Sequence, residues 1–536
     1  MTFPRLLITL VCLALAGTAA PADVINVPED YPTIQGAINA STDGDVIQIA
    51  AGNYYEYSLN PAGKSLTIQG TLDSDGSLLT TIDAQQIGSV FYLYEGFDAL
   101  TVIKDLVITG GYGSEHLNST SAGGGIYCRD SDLTITGCEI KSNNAGISSD
   151  GGMTPGFGGG LYCYSSGLPR NITLVDCKIT ENYGCGGGLM CRNEINLTLS
   201  GCSFTQNYSP PLEEGDNGSF GGGIYCFRTL ALRISDCEFS NNYTSYNGGG
   251  IEIYLGQSAI ITNCVLDSNQ AGNAGGGFVA YASHLLIRDC LISNNNSSFA
   301  GGIAFGFDTK GILLDSTVVS NTSKYRGAVF MEGSECNIDN STIADNQNTD
   351  GWPGGGIGVR WSETTIKGCT IANNTVAADT EYSQGGGLFI DESELKIIDS
   401  TISGNSADEG GGIYCRWGGY NSPIIYDCYI IDNQAAAGGG IYSYGADTWI
   451  KRTFVCSNIS DQIVGNWNDE GENTIADECS TCPGDATGDF FVDVNDVLYV
   501  LSAWGSDDVN ADFNDNGLVD VNDVLILLSQ FGEPCP

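Results

Sequence analysis

Twelve times between residues 123 and 458 the chain writes versions of the same short phrase, mostly three glycines followed by an aliphatic residue, as in "GGGIYC" at Gly123, Gly221 and Gly410. The first positions of the twelve copies are 123, 158, 186, 221, 248, 275, 300, 326, 354, 385, 410 and 438, spaced 25 to 35 residues apart. "AGGIAF" at Ala300 and "RGAVFM" at Arg326 are the most degenerate. After each copy comes a second signature, such as "DCKITEN" or "GCSFTQN", that ends in asparagine all twelve times: Asn143, Asn182, Asn207, Asn242, Asn269, Asn295, Asn321, Asn346, Asn374, Asn405, Asn433 and Asn458. A fixed period of this length means a stacked array in which each repeat buries its apolar face against its neighbours.

Between the two marks lie pieces such as "LTITG", "ITLVD" and "LRISD", bounded by Gly, Asn and Asp, which read as strands and turns. No helical period runs through this region. About 25 residues with three short strands per repeat predicts a mainly β fold, a right-handed single-stranded parallel β-helix with one coil per repeat. A propeller blade needs about 40 residues, and the Leu/Asn spacing of leucine-rich repeats is missing.

Counting the first glycine as position 1, position 4 is always Ile, Leu, Phe or Val, and position 6 holds mostly core types, including Cys128, Cys163, Cys191, Cys226 and Cys415. Strand alternation then predicts that positions 5 and 7 face outward. Position 5 carries Tyr127, Tyr162, Tyr225, Tyr414 and Tyr442; position 7 carries Arg129, Tyr164, Arg192, Tyr254, Tyr281, Arg360, Arg416 and Tyr444. This outer lane of aromatics and arginines is the expected carbohydrate-binding surface, because sugar rings stack on aromatic faces and guanidinium groups pair with carboxylates. Four insertions, after Asn144, Tyr208, Gln347 and Thr375, are expected to rim it with acids including Glu213, Glu214, Asp216, Asp350, Asp379 and Glu381.

The asparagine column is expected at a corner, where Asn tolerates the left-handed conformation and its amides bond coil to coil. A second cysteine column (Cys138, Cys177, Cys202, Cys237, Cys264, Cys290, Cys369, Cys428) faces the core. Every coil with a position-6 cysteine also has one here, so disulfides such as Cys128–Cys138 and inert buried thiols are both open.

The first 22 residues read as a secretory leader: Arg5, an apolar run from Leu6 to Gly17, then Ala20-Pro21-Ala22. The run is too short to span a bilayer, and no later segment offers the roughly 20 apolar residues required. The mature chain is therefore expected to be secreted or surface-associated, without a transmembrane segment, and monomeric. Its formal charge of −44, from 64 acidic and 20 basic residues, argues against a nucleic-acid partner. Of 20 cysteines Cys12 lies in the leader, and the odd 19 that remain leave at least one unpaired.

"DYPTIQGAINASTDGDVIQIAAGNYYE" predicts a short helix using Ile34, Ala37 and Ile38, then a strand at Val46–Ile49. With "KSLTIQG" and "LTVIKDLVITGG" it resembles the N-terminal cap and first turns of the pectate-lyase-like β-helix superfamily, and the cap is placed at about 23–60. That resemblance implies a polysaccharide lyase or O-glycosyl hydrolase, though the Gly-His-Gly setting of polygalacturonase-type members is missing and only His116 and His284 are present. In the outward column Glu332, Arg360, Asp391 and Arg416 are the candidate catalytic set; the same residues also suit a surface ladder of alternating charges. The paired "GGGI" and F-x-x-N signatures ("FTQN", "FSNN") are similar to the repeats of chlamydial polymorphic membrane proteins, which implies a non-catalytic adhesin or structural repeat protein as the alternative.

From Cys479 the composition changes. "GDATGDFFVDVNDVLYVLSAWG" and "ADFNDNGLVDVNDVLILLSQFG" place oxygen donors at positions 1, 3, 5, 7, 9 and 12 of two loops, the spacing a hard cation requires. These are Asp485, Thr487, Asp489, the Phe491 carbonyl, Asp493 and Asp496 in the first, and Asp512, Asn514, Asn516, the Leu518 carbonyl, Asp520 and Asp523 in the second. Residues 479–536 resemble the duplicated EF-hand-like units of dockerin domains, an all-α module, which implies calcium as cofactor and a cohesin-like or other surface protein as partner. Phe490 stands where such loops usually have glycine, and Val494-Asn495 and Val521-Asn522 replace the pair that reads a standard cohesin. The apolar stripes of the two helices are expected to pack on each other. Within this resemblance Cys482 pairs with Cys535, leaving Cys479 for Cys456.

Overall fold

The computed structural model describes residues 22–94, 100–116, 121–146, 156–211, 219–378, 382–417, 422–479, 484–487, 492–514 and 516–532. Residues 1–21, Cys482, Asp489, Phe491, Cys535 and the loop acids Glu213, Glu214, Asp216, Asp379 and Glu381 lie outside them. The chain divides into two compact units, residues 1–342 and 343–536.

The first unit opens with a strand at Val24–Val27, the short helix α1 at Ile34–Ala40 and a strand at Val46–Ile49. Thr33 caps α1 through its hydroxyl, which accepts from Gly36 N at 3.1 Å. Ile34, Ala37 and Ile38 are buried, and the helix lies against the two flanking strands. This is the short helix anticipated from the apolar spacing.

Coils follow. In one of them Ile224–Phe227, Ala231–Ser235, Glu238–Ser240 and Tyr243–Thr244 run in turn around the core. Each strand pairs in parallel with its counterpart one coil before or after. Register stacks like on like: Leu189, Ile224 and Ile251 form one interior column, and Cys128, Cys163, Cys191 and Cys226 another. Phe204 and Phe239 stack inside at 5.0 Å. The second unit repeats the arrangement, with Ile357–Arg360, Leu388–Asp391, Ile413–Arg416 and the long strand Ile441–Lys451 successively parallel. Both units are parallel β-helix.

The glycines earn their places through close approach. Gly221 has φ +43°, and a Cβ there would lie 2.2 Å from Ile224 O. A Cβ on Gly222 would lie 2.4 Å from Gly249 O, the equivalent carbonyl of the next coil. The run is therefore a corner so tightly stacked that backbone alone fits.

Stacked asparagines hold the next corner. In the first unit Asn143 Nδ2 donates to Asn182 Oδ1 at 3.1 Å, and the relay continues through Asn207, Asn242, Asn269, Asn295 and Asn321 at 2.9 to 3.0 Å. In the second unit it runs from Asn346 to Asn458 at 2.9 to 3.0 Å. One detail differs from expectation. The left-handed residue is the one before each ladder asparagine, for example Glu181, Gln206 and Asn241, with φ of 52 to 57° along most of the column. The ladder asparagine itself is turned inward, where its amide bonds neighbouring coils instead of its own turn.

The cysteine question is settled among the described residues. Cys128 and Cys138 are both free and buried, as are thirteen others, so the coils are not closed by Cys128–Cys138-type disulfides. Burial pushes the Cys138 and Cys226 thiols up to about 12. They pack as small apolar groups. Among the described residues one disulfide is present, Cys456–Cys479, with Cα atoms 5.1 Å apart.

The second unit ends in two helices, α2 at Val494–Ser502 and α3 at Val521–Gln530. Each begins with a reciprocal capping box, Asp493 with Asp496 and Asp520 with Asp523. Val500 and Leu527 enter a small core with Ala486, Val492, Ala511 and Val519. Much of the remaining apolar stripe faces water, contrary to the expectation of full mutual packing: Val494, Leu498, Leu501 and Trp504 on one side, Val521, Leu525, Leu528 and Phe531 on the other, each 48 to 59 % exposed. Two short helices share too narrow a contact to cover both stripes. No helix among the described residues is long and apolar enough to cross a membrane.

Candidate functional site

The outward lane is double-layered. Position 7 reaches the surface, but position 5, apart from the half-buried Tyr442, does not: Tyr127, Tyr162, Tyr225 and Tyr414 are 0 to 6 % exposed. The reason is the segment just before each glycine run, which folds back over position 5 of the same coil. Phe157 stacks near Tyr162 at 6.0 Å, and Phe220 lies on Tyr225 at 4.7 Å. These corner segments bridge to one another in parallel, Ala122 to Phe157 to Cys185 and Phe220 to Asn247. The expected exposed lane is thus corrected to its position-7 half. Arg129, Tyr164, Arg192, Tyr281, Arg360, Arg416 and Tyr442 are half-buried, and Tyr254 and Tyr444 are exposed.

In the first unit the position-7 lane and the corner ladder enclose a cleft of about 650 Å³, within the size range of small-ligand sites. One wall is aromatic. Phe227 and Tyr254 stack at 5.8 Å, and Tyr281 follows at 6.2 Å, tilted. The opposite wall is Phe157, Phe220, Tyr246 and Asn247 from the corners, with Met190 and Tyr225 beneath.

Two charged-type side chains enter this cleft. The Arg192 guanidinium sits over the rings of Phe157 and Phe227, 5.5 and 5.3 Å from their centroids, and hydrogen-bonds the Tyr162 phenol. Its Nε is buried and has no hydrogen-bond partner among the described residues. Glu252 is at position 5, where the other copies hold aromatic, aliphatic or small residues. It is 2 % exposed, and its Oε2 accepts from Gly221 N at 3.2 Å. Burial pushes its carboxyl well above the usual range, opposed by the bonds from Gly221 and the Asn247 side chain. Sequence reasoning did not single out Glu252, although a lone acid in that column was the available signal. A smaller pocket of about 190 Å³ continues past Tyr281, with Phe299, Phe330 and the candidate acid Glu332 on its walls.

His116 packs against Tyr127, Tyr162 and Tyr164, outside the lining of the cleft. Its ring nitrogens lie 2.9 Å from Tyr127 Oη and 3.2 Å from Tyr162 Oη. Burial, with the Arg129 and Arg192 charges, lowers its pKa to about 4, so it is neutral at ordinary pH. It organises buried tyrosines and does not face the cleft.

In the second unit Arg360, Asp391 and Arg416 come together as an ion-paired ladder. Asp391 is 1 % exposed and accepts from Arg416 Nε at 3.0 Å and Nη2 at 2.6 Å, with Arg360 Nε at 3.4 Å. The carboxylate raises the Arg416 pKa. Arg360 also lies over Trp361 at 3.7 Å. Asp391 is buried against two guanidinium groups, which leaves its carboxylate committed to ion pairs. The nearby rings Tyr414 and Tyr442 stack at 5.1 Å.

The C-terminal loops gather oxygen atoms. Thr487 Oγ1 and N donate to Asp496 Oδ1 at 2.8 and 2.9 Å. Asn514 Nδ2 donates to Asp523 Oδ1 at 2.9 Å, and the Asn516 and Gly517 N–H groups donate to Asp512. Asp496 and Asp523 are fully buried. From residue 453 to 536 the chain has no Lys, Arg or His, so no basic side chain of this segment neutralises those carboxylates. Among the described residues no three His, Cys, Asp or Glu side chains cluster as a metal site; the donor set here also uses Thr487, Asn514 and Asn516.

The family model for the right-handed beta helix region matches residues 115–274, 222–359 and 348–478. No curated protein matches the chain. Among solved structures the chain is similar to the catalytic unit of a GH87 alpha-1,3-glucanase from Streptomyces thermodiastaticus, at 14 % identity and TM-score 0.39, covering 86 % of this chain and 71 % of that one. It is similar to tailspike protein 3 of bacteriophage CBA120, at 10 % identity and TM-score 0.34, covering 84 % and 58 %. The alginate lyase AlyF-OU02 is a third, at 13 % identity and TM-score 0.32, covering 86 % and 88 %. Residues 115–478 make up more than half of the chain and carry every glycine repeat, and on that match the chain belongs to the right-handed β-helix family.

Proposed function

We propose that this is a secreted β-helix protein that binds polysaccharide in the cleft between the position-7 lane and the corner ladder of its first unit. The observation that carries this reading is the aromatic wall Phe227, Tyr254 and Tyr281, opposite corner residues and beside an arginine with a free buried Nε. Rings held on rigid, in-register strands offer stacking faces for sugars at little entropic cost. Arg192 adds a donor suited to a carboxylate or hydroxyl.

The tail is proposed as a dockerin-like tether that takes calcium. Its support is the buried Asp496 and Asp523, the converging Thr487, Asn514 and Asn516, and a segment without any basic side chain. Asp485, Thr487, Asp493 and Asp496 would hold one ion, and Asp512, Asn514, Asn516, Asp520 and Asp523 the other. A bound ion supplies the positive charge those carboxylates need. The exposed apolar residues on α2 and α3 suit a protein partner, cohesin-like or other.

A second reading, a non-catalytic adhesin or structural repeat protein, is favoured by one observation. Asp391, a candidate acid of the outward column, is spent in ion pairs with Arg360 and Arg416. Incubation of the secreted chain with a polysaccharide panel separates the readings. Binding with unsaturated or new reducing ends indicates a lyase or hydrolase, and binding without product indicates a lectin-like module. No binding to any member overturns the carbohydrate reading and leaves the alternative.

A further inference from the structure

We propose that Glu252 is carried as a neutral carboxylic acid whose proton is donated to an oxygen of the sugar bound in the cleft, making it a specificity-determining contact. The inference rests on the polysaccharide-binding reading and adds to it a named donor and a pH dependence.

Glu252 lines the cleft yet is 2 % exposed, so a charge there gives up nearly all its hydration. Its surroundings supply no cation: among the described residues no Lys or Arg forms an ion pair with it. The groups facing it can be named element by element. Tyr225 stands in register on the preceding coil and Val279 on the following one. Gly221 N comes from the corner of the preceding coil and the Asn247 amide from its own corner. Tyr281 and Tyr254 lie along the aromatic wall, and Arg192 lies beyond Tyr225. Of these only Arg192 is charged at neutral pH, and its guanidinium is turned to Phe157, Phe227 and Tyr162.

The hydrogen-bond directions complete the case. Gly221 N can only donate. Asn247 Oδ1 already accepts from Asn273 Nδ2 at 2.8 Å and from Ala274 N at 3.2 Å, so the atom it offers Glu252 is its amide nitrogen, also a donor. Both protein partners therefore donate to the carboxyl, and among the described residues neither of them can accept the carboxyl's own proton. It is available to the cleft. A sugar hydroxyl, ring oxygen or glycosidic oxygen is an acceptor of the right kind, and Tyr254 and Tyr281 would hold its ring alongside.

The test uses the full-length chain, Glu252→Gln and Glu252→Ala. Infrared difference spectra at about pH 7 read the protonation state directly, without any ligand. Calorimetry with two probes, an α-1,4-linked galacturonate hexasaccharide and cellohexaose, from about pH 5 to about pH 9 reads the contact. The expected result is a protonated-carboxyl band in the wild type that Glu252→Gln removes. Affinity for the probe that binds should fall as pH rises in the wild type and stay flat in Glu252→Gln, whose amide keeps a donor. Glu252→Ala should bind about tenfold more weakly, the worth of one buried hydrogen bond. An ionised carboxylate at about pH 7 overturns the neutral state. A band present together with wild-type affinity in Glu252→Ala overturns the donated bond alone. A band present with neither probe bound overturns the polysaccharide reading and the contact with it.

Discussion

Asn242 is the place to test whether the asparagine relay holds the coils together. Its side chain makes four hydrogen bonds: Nδ2 donates to Phe204 O at 2.8 Å and Asn269 Oδ1 at 2.9 Å, and Oδ1 accepts from Asn207 N at 3.1 Å and Asn207 Nδ2 at 3.0 Å. It is 1 % exposed, so water does not replace what is removed. In Asn242→Ala, Asn207 Nδ2 retains Ile179 O and Asn269 Oδ1 retains the residue-242 backbone N–H. Asn207 N loses its acceptor outright. Four net bonds at about 1 kcal/mol each, one ending in an orphaned donor, give a loss of about 3–5 kcal/mol. A stacked array opens locally, so the right assay is hydrogen exchange at the Asn207 amide and the neighbouring corner. Protection there should fall by about a hundred- to several thousandfold. Asn196→Ala, which removes one exposed bond to Asn171 at 3.1 Å, is the control and should change exchange little. A change below about 1 kcal/mol at Asn207 in the Asn242 variant refutes the relay as a stabilising element.

Three further outcomes are expected. Gly222→Ala places a Cβ 2.4 Å from the next coil's carbonyl, and should cost about 2 kcal/mol or more in denaturant unfolding, whereas Gly76→Ala, with open space around it, should cost no more than the strain of its φ of +83°. Glu252 is raised above its unfolded value, so the folded state holds a proton that the unfolded state releases; stability should be full below the ordinary carboxylate range and decline as pH rises from there toward the raised value. Each pH unit of displacement is worth about 1.4 kcal/mol, and the difference between wild type and Glu252→Gln in melting temperature against pH reads it. Calcium added to residues 479–536 within the full chain should give heat in calorimetry and increase helical ellipticity, both lost in the Asp485→Ala, Asp512→Ala double variant; no heat in the wild type would remove calcium from the account.

The repeat made much of the fold legible. Position 4 faces the core in every described coil, the asparagines stack as their spacing implied, and Ile34, Ala37 and Ile38 are the buried residues of a short helix. Periodicity reports these because each depends only on in-register neighbours. What it could not report was the second layer. Whether Tyr225 is exposed depends on where Phe220 folds, and that is set by a corner whose path strand alternation does not describe. The same limit hid the cleft, half of whose wall is corner residues such as Phe157 and Asn247. Glu252 was visible as the lone acid of its column but was grouped with outward residues, where a charge needs no explanation. The position of the left-handed residue, one before the ladder asparagine, was likewise beyond the pattern, since both sites carry Asn in several copies.

Hydroxyl-radical footprinting of the chain with and without a bound oligosaccharide tests the central claim most directly. The account predicts protection of Phe227, Tyr254 and Tyr281, with Tyr444, 51 % exposed in the other unit, unchanged. Protection confined to Tyr444 and its neighbours, or none at Tyr254 while the sugar is bound, would contradict it.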